Sequence, residues 1–170
     1  MISAEEYKKL TDLAFRAYQN HNVTNQEYRQ LGRVPYTVHP MWCATMLICD
    51  TKIPRKQREL GFKALILHDV LEDTDMTLPK WVEPRVQKIV QELTFESPAD
   101  ALKQIFGKSH FIKLLLLIDM LASMYEDHVS PHHRGLWKKA VHHLIKEVEE
   151  KYGNTRIVQV AKVIHKNTDW

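Results

Sequence analysis

The sequence predicts an all-α protein, and three observations carry that expectation. Only five glycines occur in 170 residues. No segment of useful length alternates apolar and polar residues as a half-buried strand does. Apolar residues instead recur at helical spacing, which gathers them on one face of a helix.

The first helix is expected over residues 3–20, with Leu10, Leu13, Ala14 and Ala17 on one side. A polar loop follows, over about residues 21–38. The second helix begins at His39 and places Pro40 in its first turn, where a missing N–H costs nothing. It reaches about Ile48, and residues 50–54 form a break. A third helix is expected over residues 55–71, carrying Phe62, Leu65 and Ile66. Pro79 and Pro84 punctuate a short turn and the start of the next helix, which carries Val86, Ile89, Val90 and Leu93. Ser97-Pro98 and Ser130-Pro131 each read as a helix cap followed by proline at the first helical position. Between them lies a strongly apolar helix, residues 109–126. An amphipathic helix follows Pro131 and ends near Gly153, and Asn154 is expected to cap a last helix with Ile157, Val160, Ala161 and Ile164. No linker, repeat or low-complexity stretch interrupts the chain, so residues 1–170 read as one domain.

The composition is that of an ordinary globular protein, 44% hydrophobic and 26% charged. The formal net charge of +3 suits an anionic small molecule. It is too weak and too evenly spread to argue for DNA or RNA. Cys43 and Cys49 lie six apart on a predicted helix and point in different directions, which disfavours a bridge. Free thiols and no evident signal peptide lead to the expectation of a cytoplasmic protein. The longest purely apolar run, residues 114–118, is far short of a membrane span, and no lipidation motif is visible.

Chemistry concentrates in Leu65-Ile66-Leu67-His68-Asp69-Val70-Leu71-Glu72-Asp73. A mostly apolar helix there acquires four polar residues at its C-terminal end. His68 and Glu72 are four apart, as are Asp69 and Asp73, so each pair shares a helix face. His68 and Asp69 differ by about 100° around the axis and can reach one ion from neighbouring sides. An imidazole with carboxylates suits divalent cations such as manganese, iron and zinc. By itself a His-Asp dipeptide is common by chance, and Glu72 and Asp73 alone read as solvated surface. Negative charge at that helix end opposes the helix dipole, however, and a nearby cation relieves the conflict.

Two ligands are too few. Asp119 sits in the most apolar helix, where a buried carboxylate needs a cation or an ion-pair partner. No basic residue occupies positions 115, 116, 122 or 123, so a metal is the favoured partner. His39 begins a helix after Val34-Pro35-Tyr36-Thr37-Val38, and its local sequence fits either a capping-region histidine or a ligand.

These segments, in this order, resemble the hydrolase domain of the RelA/SpoT-type alarmone synthetase/hydrolases. They resemble especially the small stand-alone alarmone hydrolases of the metazoan SpoT-homologue kind, within the wider HD-domain metal phosphohydrolases. Pro35-Tyr36-Thr37-Val38-His39-Pro40 looks like the family's "PY-x-x-HP". Ala64-Leu65-Ile66-Leu67-His68-Asp69-Val70-Leu71-Glu72-Asp73-Thr74 looks like its "A-x-LHD-x-x-EDT", and Asp119 falls at the Asp of "K-L-A-D". Residues 13–18, Thr77-Leu78, 89–94 and 134–165 fit the remaining pattern, so the resemblance covers nearly the whole chain. It implies a single compact HD-domain bundle of about seven to eight helices.

The resemblance also implies roles. His39, His68, Asp69 and Asp119 would hold a divalent metal, with manganese the family's usual ion. Glu72 and Asp73 would activate or position the attacking water. An Arg before "PY-x-x-HP" packs on the guanine base in the family; Arg29 is the candidate here and Arg33 its competitor. The implied reaction removes the 3′-pyrophosphate of guanosine tetra- or pentaphosphate, (p)ppGpp. Departures cluster around Asp119. The family's Lys is Leu116, its Ala is Ile118, its Arg/Lys is Met120, and its substrate-holding Asn is Ser123. The pair that follows is Tyr125-Glu126, and an acid at the family's Thr position opposes a multiply phosphorylated ligand.

Other features have plainer readings. His132-His133 and His142-His143 are ten apart, close to three helical turns, and read as surface residues. Lys138, Lys139, Lys146 and Lys151 read as a solvated helix face. Trp42, Trp81 and Trp137 read as core or lid-packing residues. Three functional readings follow. The first is a metal-dependent pyrophosphohydrolase acting on the alarmone. The second is an HD phosphohydrolase acting on another nucleotide, as a phosphatase or on deoxynucleoside triphosphates. The third is a non-catalytic nucleotide-binding module. In each the partner is a small-molecule nucleotide, with no nucleic acid or membrane.

Overall fold

The computed structural model describes residues 2–20, 28–29, 34–35, 37–123 and 131–167. Arg33, Tyr125, Glu126, Ser130 and Trp170 lie outside them, and of Arg29, His132 and His133 only the backbone is described.

Nine α-helices are found among the described residues: α1 (Ala4–Asn20), α2 (Val38–Cys49), α3 (Arg55–Leu67), α4 (Val70–Asp73), α5 (Pro84–Leu93), α6 (Pro98–Gln104), α7 (His110–Ser123), α8 (Pro131–Tyr152) and α9 (Arg156–Asn167). Helix α4 is a single turn, which leaves eight of two turns or more and matches the expected all-α bundle. β-Structure among the described residues is confined to a two-residue antiparallel ladder, with Tyr28 opposite Pro35 and Arg29 opposite Val34.

Helix α7 is the core of the molecule. Leu114, Leu115, Leu117, Ile118 and Leu121 are fully buried, which is the signature of a helix packed on all sides. It packs against α2, α8, α5 and α9. Lys113 is buried as well, and its ammonium pairs with Glu147 of α8. Helices α2 and α3 pack on one another over the tight connection at residues 50–54. Their near-equal lengths, 12 and 13 residues, bring the start of α2 beside the end of α3.

Gly61 marks where α3 comes closest to its neighbours. A Cβ there would lie 2.5 Å from Leu47 Cδ2 and 2.9 Å from Leu115 Cδ2.

Several helix ends follow the sequence closely. The Ser97 hydroxyl accepts from the Asp100 amide, 3.2 Å away, and Pro98 opens α6. Gly153 takes the left-handed conformation at φ 75° just after α8, where L side chains are disfavoured. Two ends differ from expectation. The third helix stops at Leu67, and His68 and Asp69 form a turn before α4, although both keep right-handed helical dihedrals. The cap of α9 is Thr155 rather than Asn154. Its hydroxyl accepts from the Val158 amide at 3.2 Å, while the Asn154 carbonyl accepts from Lys52 Nζ at 2.7 Å. A second acceptor at this end comes from the α2–α3 connection. The buried Asp50 accepts the Ile157 amide at 3.0 Å and the Lys52 amide at 3.3 Å.

Candidate metal centre

Three elements converge on one point. The first turn of α2 brings His39, the turn after α3 brings His68 and Asp69, and the middle of α7 brings Asp119. His39 Nε2 lies 2.9 Å from Asp119 Oδ1 and 3.3 Å from His68 Nε2. His68 Nε2 is 3.3 Å from the same Asp119 oxygen and 2.9 Å from Asp69 Oδ1. Asp69 Oδ2 is 3.8 Å from His39 Nε2. The four residues that the sequence singles out as a ligand set, far apart along the chain, therefore meet.

Their arrangement fits a divalent cation. With bonds of ~2.1 Å, donors around one ion stand ~3.0 Å apart at right angles and ~3.4 Å apart at the tetrahedral angle. The separations of 2.9, 3.3 and 3.3 Å among His39, His68 and Asp119 span that range. The tautomer of His68 fits too. Its Nδ1 lies 2.8 Å from the Leu65 carbonyl, to which an Nδ1–H donates. Nε2 is then left with a lone pair aimed at the cluster, because the Leu65 carbonyl fixes both the tautomer and the ring orientation.

The electrostatics show how the same groups balance with a proton in place of an ion. Burial pushes the His68 imidazolium down, but the carboxylates of Asp69 and Asp119 outweigh it and hold its pKa well above the ordinary 6.5. Burial raises Asp119, while hydrogen bonds from His39 and His68 overcome that and keep its carboxyl well below the ordinary range. The two shifts are two views of one interaction.

Asp119 is not sealed in the core as its apolar surroundings suggested. Its side chain keeps 29% of its surface, because it faces a small cleft of about 80 Å³. Asp69, Glu72 and Ser123 also line the cleft. Glu72 is exposed as a residue, but partial withdrawal of its carboxyl from water at the cleft, and then the charges of Asp69 and Asp119, push its pKa up to about 7. The Phe95 amide donates to Glu72 Oε2 at 3.3 Å and opposes that rise. Asp73 is half-buried at the end of α4, and its amide donates to the Asp69 carbonyl at 2.9 Å. Leu116, Met120 and Ser123, where the chain departs from the family pattern, all face the cleft, with Leu93, Phe95 and Trp137 across it. No Lys or Arg lines it among the described residues.

The donor that sequence reasoning missed is Cys43. It is fully buried on α2, with Sγ 3.8 Å from His39 Nε2. Donor atoms of His39, Cys43, His68 and Asp119 all lie within 4.8 Å of one another. Its signal was present in the sequence, since His39 and Cys43 are four apart on one helix and share a face.

The remaining features fall mostly where expected. His142 is exposed, and His143 pairs with Glu147 at 2.6 Å. Lys139, Lys146 and Lys151 are exposed on α8. Trp42 and Trp137 are half-buried, but Trp81 is 51% exposed and so is not a core residue. It lines a larger groove of about 880 Å³ beside α1, which none of the metal-cluster residues borders. Both cysteines are free, and no described helix is long and apolar enough to cross a membrane.

No family model and no curated protein matches the sequence. Among solved structures, one described as a metazoan ortholog of SpoT that hydrolyses ppGpp and plays a role in starvation responses matches with a TM-score of 0.71. The match covers 96% of this chain and 95% of that one, at 21% identity. The likeness read from short motifs thus extends to the whole molecule: this chain has the fold of that metazoan SpoT ortholog.

Proposed function

We propose that the protein is a metal-dependent nucleotide phosphohydrolase whose substrate is (p)ppGpp and whose products include pyrophosphate. The observation that carries this reading is the convergence of His39, His68 and Asp119 at ligand distances, with Asp69 against His68, on a fold shared with a ppGpp hydrolase. In this reading the four side chains hold one divalent cation, and manganese is the ion the motif resemblance implies. Such an ion supplies Lewis acidity toward a phosphoryl oxygen and toward the attacking water.

The chain's own groups do the rest. Glu72, at the cleft beside Asp69, is the base that takes the water proton; burial at the cleft raises its carboxyl, and a bound cation would offset the part of that rise due to Asp69 and Asp119. Asp73, one residue on, positions the water. Leu65 locks His68 in the ligating tautomer through its carbonyl. Ser123 touches the substrate from the cleft wall, and Arg29, whose backbone pairs with Val34, is assigned the base contact that the motif resemblance implies. Water adds to the outer side of the 3′-ester phosphorus, and the pyrophosphate departs as the nucleoside 3′-oxygen regains a proton. Two free thiols support a cytoplasmic setting for this reaction.

One observation favours a second substrate class for the same chemistry. The described cleft lining holds carboxylates and apolar side chains but no cation, and Leu116 and Met120 stand where the family carries basic residues. A nucleotide with fewer phosphates meets that wall with less desolvation cost. Incubation with manganese and a nucleotide panel separates the two. Pyrophosphate release from (p)ppGpp alone supports the first reading, and turnover confined to other nucleotides replaces it with the second. An unchanged bound nucleotide in the presence of metal would leave only a binding module.

A further inference from the structure

We propose that Cys43 is a further metal donor in this centre, a soft ligand that favours zinc or cobalt(II) relative to manganese. The inference rests on the metal-centre reading above. It adds a residue and a metal preference that neither the motif resemblance nor the fold likeness supplies.

The geometry is specific. Cys43 lies one turn beyond His39 on α2, so both side chains project from the same face. A thiolate at ~2.3 Å and an imidazole at ~2.1 Å from one ion stand ~3.6 Å apart at the tetrahedral angle and ~4.4 Å apart across it. The Cys43 Sγ to His39 Nε2 separation is 3.8 Å, and the donor atoms of the four-residue cluster stay within 4.8 Å of each other. The separation from His39 lies inside that window and the bound on the others lies slightly above it, so a small side-chain adjustment brings the sulfur to a position shared with two imidazoles and a carboxylate.

The chemistry follows from the donor. Thiolate sulfur selects zinc and other soft or borderline ions, whereas carboxylate and water suit manganese. Ligation releases the thiol proton to solvent and gives the ion one more negative charge to offset. A buried thiol can also act as a small apolar side chain, and this is the alternative to be excluded. Cys49, the other cysteine, is exposed and provides an internal control.

The test is cobalt(II) titration of the full chain after chelator treatment, followed by near-ultraviolet absorption. The expected result is a thiolate-to-cobalt charge-transfer band that saturates at one equivalent. It persists in Cys49→Ser and disappears in Cys43→Ser. Zinc affinity should fall by ~10-fold or more in Cys43→Ser, with manganese affinity changed by less than ~2-fold. Binding of one cobalt without a thiolate band in the unmodified chain overturns the proposal and leaves the metal centre standing, as does a band that survives Cys43→Ser. Absence of stoichiometric cobalt binding, or binding indifferent to His68→Ala, overturns the metal centre and the proposal together. The unmodified chain's spectrum decides the matter even where Cys43→Ser does not fold.

Discussion

His68 has one ring nitrogen committed to the Leu65 carbonyl and the other directed at Asp69, Asp119 and His39. That arrangement makes the metal-free protein respond to pH. His68, raised well above 6.5, contributes stability that is complete below pH 6.5 and is lost as pH rises through its folded value. Asp119, lowered from 3.8, contributes stability that is present above pH 3.8 and is lost as pH falls through its folded value. Both are therefore in force between about pH 4 and 6.5. Glu72, raised from 4.5 to about 7, adds a loss with rising pH over that interval. Chelator-treated protein should accordingly show a melting temperature that falls from pH 5 to pH 8. Metal-loaded protein should not follow it, because ligation needs the neutral imidazole and strengthens as protons leave. Parallel melting curves for the two forms across that range would contradict the residue-level account. The grouping of His68, Asp69, Glu72 and Asp73 was visible in the sequence because they are neighbours in it. His39 was ambiguous because its partners are 29 and 80 residues away, and Cys43 was overlooked because it was weighed only as a disulfide partner.

Elements bring these residues together, and two contacts hold the elements in place. Asp50 ties the α2–α3 connection to the start of α9 by accepting the Ile157 amide. Asp50→Ala removes an acceptor from a buried helix N-terminus and should cost about 1–2 kcal/mol in denaturant unfolding. Asp50→Asn, which keeps an acceptor, should recover much of that. An Asp50→Ala protein as stable as the parent would show that the contact contributes nothing. Gly61 permits the close approach of α3 to Leu47 of α2 and Leu115 of α7. Alanine is the better helix former by ~1 kcal/mol, yet overpacking a core costs ~1–3 kcal/mol. Gly61→Ala should therefore lower stability by about 1 kcal/mol net, and a rise in the unfolding midpoint would mean that the leucines yield freely. Helical periodicity and proline and serine signals had located most elements. The Asp50 contact had no local signal, because its partner lies 107 residues along the chain. The stop at Leu67 was equally hidden, since residues 65–73 carry no glycine or proline to announce it.

At the scale of the molecule, a largely buried α7 forms the centre, and the paired α2 and α3 return the chain so that His39 faces His68. The all-α class and the grouping of His39, His68, Asp69 and Asp119 were readable from the sequence, because helical periodicity and motif order are both patterns in the sequence itself. The cleft wall was less readable. Leu116, Met120 and Ser123 were visible as departures, but that they share one face of the cleft emerges only from the packing of α7. Metal-assisted hydrolysis is the central claim, and Asp69 is its sharpest handle. Its side chain is 11% exposed and contacts His68 at 2.9 Å, so removing it should disable the centre without unfolding α3. The most direct measurement is pyrophosphate release from guanosine tetraphosphate by the parent protein and by Asp69→Ala, each with manganese and with chelator, alongside far-ultraviolet circular dichroism. The parent should turn over only with the metal. Asp69→Ala should lose ~1,000-fold or more in rate, equivalent to ~4 kcal/mol of transition-state stabilisation, while its helical signal is retained. Equal rates for the two proteins, or a parent that releases no pyrophosphate with manganese present, would contradict the account.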